Sequence, residues 1–148
     1  MKRTVQRLHD IPIYLYKTDK FKSINIRIVF KNHFTKENAT HYSLLTSILT
    51  NTSKKYNTKK KVSNVLDDLY SANIVFSTYP IHKTRVTTVN LTLVNQKYLN
   101  ENLISKGIDL LKEFLLNPNL EGNKFNQKVY EEEKVLLEED LKRVYNNK

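Results

Sequence analysis

The sequence predicts an α+β fold: an antiparallel sheet covered on one face by helices, with elements in the order β-β-α-α-β-β-α-α. Strand-like stretches come in two consecutive pairs joined by short polar links, which implies antiparallel pairing. The helical stretches are also grouped in pairs, and each carries one apolar stripe, so each has one face to bury. Only two Gly and three Pro interrupt 148 residues of which 39% are hydrophobic and 27% charged, the composition of one folded domain with a core.

The first strand pair is IPIYLYK (11–17), with Ile11, Ile13 and Leu15 on one face, and SINIRIVFK (23–31). In the second of these Ile24, Ile26, Ile28 and Phe30 alternate with Asn25, Arg27 and Lys31. The polar TDKFK between them predicts a hairpin turn. From Ala39 to Leu49 the period changes, placing Tyr42, Leu45, Ile48 and Leu49 on one helical face, with Leu44 beside it. A second helix carries Val62, Val65, Leu66, Leu69 and Tyr70 behind a cap at Asn57 or Thr58, and ends near Ser71. NIVFSTY (73–79) and RVTTVNLTLV (85–94) form the second strand pair, rich in β-branched residues and connected by Pro80-Ile81-His82-Lys83. Leu99, Leu103, Ile104, Ile108, Leu111, Phe114 and Leu115 trace a third helix, stopped by Asn117-Pro118-Asn119. The last helix begins around Asn123 and still runs at Tyr145 without a glycine cap, an open end expected of an incomplete domain, so that residues 1–148 read as one domain of a longer subunit. The two halves echo each other in element order, with no repeated motif.

Composition excludes several functions. Without cysteine there is no disulfide, thiolate zinc site or cysteine nucleophile. No run of about 18 apolar residues and no secretory signal occur, so the expectation is a cytoplasmic protein without a membrane partner. The formal charge of +10 invites a nucleic-acid reading, but 20 of the 25 cations are Lys, and the five Arg are scattered. The one basic cluster with an embedded aromatic, KKYNTKKK (54–61), reads more simply as a solvated lysine loop than as an RNA-binding module.

EEEKVLLEEDL (131–141) holds six of the chain's fifteen carboxylates. In a helix Glu132 and Glu139 lie seven residues apart on one face, as do Glu133 and Asp140. A catalytic zinc needs about three protein ligands, usually including His, and an open position for water. The four histidines, His9, His33, His41 and His82, show neither HExxH nor HxxEH spacing. On residues alone the acidic run is a charged helix exterior.

The ordered pieces nevertheless resemble the N-terminal part of a peptidase family M16 (insulinase and pitrilysin-like) subunit, a LuxS/MPP-like metallohydrolase fold. FKSINIRIVFK resembles that family's first long strand and VSNVLDDLYSANIVFSTY its helix and following strand. LLKEFLLNPNLEGNKFNQKVYEEEKVLLEEDL resembles its helix, NP, F and acidic helix signature. In active members HxxEH supplies two zinc-binding His and a general base, and a Glu on the acidic helix is the third ligand. By that pattern Glu139 matches the third ligand and Glu132 a supporting Glu. Where HxxEH belongs, counting back from LDDLYSAN, the chain reads Ser43-Leu44-Leu45-Thr46-Ser47, so Ser43, Thr46 and Ser47 stand in place of both imidazoles and the base. Sliding the frame to His41 recovers a single His.

The resemblance therefore implies a non-catalytic subunit without a cofactor, zinc belonging only to active relatives. Such a subunit pairs with an active M16 peptidase in a heterodimer and offers a peptide the edge of strand 85–94 or 23–31. Within the family the likeness is to a bacterial subgroup associated with 5-aminopentanol modification of elongation factor P. The alternatives are a zinc metalloendopeptidase subunit contributing Glu139 across an interface, and the RNA-binding module at 54–61.

Overall fold

The computed structural model describes residues 2–146. Strand β1 (Lys2–Leu8) pairs with β2 (Ile11–Lys17) over their full lengths. Only His9 and Asp10 connect them, and His9 adopts φ 53, the positive sign that tight hairpin turns need at their first loop residue. The described side chains of this hairpin are all exposed.

The hairpin expected between 11–17 and 23–31 does not form. Pairing 2–8 with 11–17 closes a two-residue loop, whereas the expected partner lies across a longer one, so the shorter closure wins. The basic KRTVQRL lacks the apolar alternation that would have marked it as a strand.

Strand β3 (Ser23–His33) instead pairs antiparallel with β5 (Thr84–Val94), eleven residues against eleven. The other side of β5 pairs with β4 (Asn73–Ile81), giving the order β3-β5-β4. Pro80 and Ile81 extend β4 rather than the loop, which shrinks to His82-Lys83 with His82 at φ 53.

Between the strands stand α1 (Ala39–Asn51) and α2 (Lys59–Asp68). Thr58 caps α2, its hydroxyl accepting the Lys61 N–H at 3.2 Å. Helix α3 (Leu103–Leu116) starts four residues later than Leu99 because Asn102 is its cap, with Oδ1 accepting from the Ser105 N–H. A two-residue-per-strand hairpin, β6 (Leu120–Glu121) and β7 (Lys124–Phe125), occupies the expected start of the last helix, and α4 spans Gln127–Asn146.

The alternation along β5 sends Arg85, Thr87, Val89, Leu91 and Leu93 to one face. Val89, Leu91 and Leu93 join Ile74 and Phe76 of β4, Val62 of α2 and Leu69 just after it, and Leu103, Leu110, Leu111 and Phe114 of α3 in the main core. Helix α3 approaches β5 closely enough that a Cβ on Gly107 would stand 2.5 Å from Leu93 Cδ1. A second cluster joins α1 to α4 through Leu44, Ile48 and Val129. The helices thus cover one face of the three-stranded sheet, as the sequence implied.

Candidate functional site

Helix α1 lies against β4 on one side and α4 on the other, and the three line an open groove of about 570 Å³. Ser43, Thr46 and Ser47, the residues that the resemblance sets against HxxEH, stand on α1 and all line the groove. Two of these hydroxyls are turned back onto their own helix, Ser43 donating to the Ala39 carbonyl and Thr46 bonding the Tyr42 and Ser43 carbonyls. Only Ser47 reaches across, and it donates to Glu133 Oε2.

Glu133 is the one carboxylate of α4 that is buried, at 1% exposure among Val129, Leu137 and the α1 side chains. Its other oxygen lies 2.7 Å from the Lys59 ammonium at the start of α2. Asp140, two turns further along the same face, lines the groove and is held by Arg143 Nη2 at 2.6 Å. Each groove carboxylate therefore has a protein cation of its own.

Glu132 and Glu139 are exposed and lie outside the groove. The i, i+7 pair that faces α1 is Glu133 and Asp140, one residue on from the pair that pattern matching selects. One residue is 100° of helix rotation, and that rotation is set by packing. Val129, Glu133 and Leu137 follow one another at i+4 steps, and this apolar flanking of Glu133 on both sides was the available signal.

The donor set does not suit zinc. The groove is lined by serine and threonine hydroxyls and by no imidazole, and its one buried carboxylate already accepts from a hydroxyl and lies beside an ammonium. Among the described residues no three His, Cys, Asp or Glu side chains gather where they could share a metal ion. All four histidines are exposed, His9 and His82 in the two hairpin turns, His33 at the end of β3 and His41 on the first turn of α1.

The groove has a backbone wall as well. The Phe76 N–H donates to Thr50 Oγ1 at 3.0 Å, so it points away from β5. Antiparallel alternation then directs the backbone groups of Ile74 and Thr78 to the same outer edge. Pro80 shares that phase, where a missing N–H costs no ladder bond. Strand β5 has both edges paired and cannot be the free edge expected at 85–94, leaving β4 beside the groove and β3 at the opposite margin.

The basic stretch 54–61 is built into the fold. Tyr56 stacks on Phe114 with ring centroids 6.1 Å apart, Ser53 and the Lys55 N–H both donate to Glu113 Oε1, and Lys59 is the partner of Glu133. Its aromatic is core packing, not a platform for a base.

No protein-family model matches the chain. It is similar, at 29% identity over 137 residues, to a Bacillus subtilis (strain 168) protein named "Probable inactive metalloprotease YmfF"; the match covers 91% of this chain and 32% of that protein. The fold matches the crystal structure of a conserved protein from Enterococcus faecalis V583 with a TM-score of 0.93 over 99% of this chain, at 22% identity and 35% coverage of the other chain. The chain thus spans about a third of the length of the relatives it matches. That match establishes the α+β architecture. Among the described residues no helix is long and apolar enough to cross a membrane.

Proposed function

We propose that the chain is a non-catalytic M16-type domain whose groove holds an extended peptide without cleaving it, in a complex with an active, HxxEH-bearing subunit. The observation that carries the reading is a carboxylate already engaged by the protein: Ser47 donates to one oxygen of Glu133, and the Lys59 ammonium lies 2.7 Å from the other as an ion pair, though not in hydrogen-bonding geometry, where active relatives need a free ligand and two imidazoles. At the position matched to the general base Thr46 offers only a hydroxyl bonded to its own helix, and the groove's two carboxylates, Glu133 and Asp140, each lie beside a protein cation. The name of the Bacillus subtilis relative supports the same reading.

What remains is binding. The outer edge of β4 offers the backbone groups of Ile74 and Thr78 to a strand-like ligand, with the groove floor receiving alternate side chains. The link to elongation factor P modification belongs to the same proposal and would place the active partner in that bacterial subgroup.

The test is amide exchange on the purified chain with an unstructured peptide, followed by product analysis. Slowed exchange at Ile74 and Thr78 with the peptide recovered intact supports the reading. Cleavage by the chain alone, with loss of activity in chelator, overturns it.

A further inference from the structure

Helix α2 carries its charges in an order that opposes its own dipole. Lys59, Lys60 and Lys61 fill the first turn, where free backbone N–H groups already present positive charge, and Asp67 and Asp68 fill the last, where carbonyls present negative charge. A face kept only for solubility gains from the reverse order. Lys59 is accounted for by Glu133. Among the described residues Lys60, Lys61, Asp67 and Asp68 are exposed and form no ion pair, and Lys61 Nζ reaches only the amide oxygen of Asn57, at 3.0 Å.

The helix cannot pair these charges itself. Lys60 and Asp67 are seven residues apart, as are Lys61 and Asp68. That is two turns and about 10.5 Å of rise, beyond the i, i+3 and i, i+4 reach of side chains on one helix. At about 100° per residue the two Lys–Asp sets run along opposite margins of one face, with the exposed Asn64 on its midline. Val62 and Leu66 point the other way, into the core. A second α2 turned end over end about a two-fold axis at Asn64 changes the picture. The operation reverses the helix and keeps each margin on its own side, so Lys60 comes level with the partner's Asp67 and Lys61 with the partner's Asp68, and the converse pairs follow by symmetry. A parallel arrangement would set lysine against lysine.

We infer that the exposed face of α2 is a docking surface for a second copy of this chain, in an antiparallel two-fold pair. An isologous interface must be its own complement, and the order of charge on this face meets that condition. Electrostatic complementarity fixes register and partner more than affinity, and one ten-residue helix buries well under the about 1,200 Å² of a stable interface, so the pair is weak and concentration-dependent. No residue of α2 lines the groove, so this inference stands or falls apart from the peptide reading.

The experiment is sedimentation equilibrium of the 148-residue chain from micromolar to millimolar concentration, beside the variants K60E/K61E and D67K/D68K and an equimolar mixture of the two. The parent should pass from monomer to dimer across that range. Each variant alone sets like charge against like and should associate at least about tenfold more weakly, whereas the mixture restores all four pairs and should come within about threefold of the parent. Overall repulsion predicts something else. K60E/K61E lowers the net charge of a chain at +10, so it would associate more tightly than the parent if this face played no part. Both variants give α2 the charge order that its dipole favours, so their melting temperatures should not fall below the parent's, which separates lost association from lost folding. A parent that stays monomeric at millimolar concentration overturns the inference, and that readout needs no variant. So does a dimer that both variants leave unchanged, which would lie on another surface such as the exposed β1–β2 hairpin, or a mixture no tighter than its components.

Discussion

Lys59→Met leaves a carboxylate that is 1% exposed with a hydroxyl as its only polar partner. Removing one member of a fully buried ion pair costs about 3–5 kcal/mol, and an exposed pair is worth about 0–1 kcal/mol. Here Glu133 is buried but Lys59 is 47% exposed, so solvent already screens one end of the pair. The expected loss lies between the two limits, about 1.5–3 kcal/mol. For a domain of this size that is a fall in Tm of about 4–10 °C. The assay is thermal and urea unfolding of K59M, E133M and the double variant. Because apolar replacement of both members of a buried pair is often close to neutral, the double variant should recover most of the loss in K59M, with a coupling of at least about 1 kcal/mol. A K59M protein within about 0.5 kcal/mol of the parent, and additive with E133M, would refute the claim that Lys59 is the counter-ion of the buried Glu133.

Three further outcomes follow from the same contacts. Burial pushes the Glu113 carboxyl up, but hydrogen bonds from the Lys55 N–H, the Ser53 hydroxyl and the Asn117 amide, with the nearby Lys55 charge, outweigh it and hold the pKa below the ordinary carboxylate value. Its folded pKa is therefore depressed, so the stability it contributes is present above the unfolded pKa and is lost as pH falls through the folded one; in E113Q, Tm against pH should be flatter across that acidic window. Tyr56→Ala should cost about 2 kcal/mol by removing the stack on Phe114, measured by urea unfolding, while any salt-dependent RNA retention stays unchanged from the parent. Gly107→Val drives side-chain atoms into Leu91 and Leu93, and should lower stability by about 1–3 kcal/mol despite the better helix former, again read from urea unfolding.

Period and capping chemistry made much of the fold legible. The strands 23–31, 73–79 and 85–94 and the helix behind Thr58 follow from alternation, β-branched content and one hydroxyl cap. Partner choice was less legible, because it depends on loop closure and not on the strand's own pattern. IPIYLYK has the right alternation whichever neighbour it joins, and the basic KRTVQRL gave no apolar signal of its own. The site divides in the same way. That Ser43, Thr46 and Ser47 share one helix was legible, since a helix is locally determined. The face of α4 was not, because six carboxylates crowd every side of that helix and only its contact with Leu44 and Ile48 selects Glu133. The burial of Arg85 was not legible, because a lone arginine in a strand looks like a solvated edge. Its burial comes from Phe34 and Tyr42, which lie more than forty residues away.

The account depends on a groove whose carboxylates already have protein partners and whose hydroxyls cannot replace imidazole. Its most direct test is the zinc content of the purified chain after dialysis against a slight excess of zinc, measured beside a S43H/T46E/S47H variant. The prediction is well under one zinc per chain for the parent and a clear gain for the variant, in which two imidazoles join α1 beside Glu133 and Asp140. A parent that retains one zinc per chain, releases it to a chelator and hydrolyses peptide while it is bound would contradict the account.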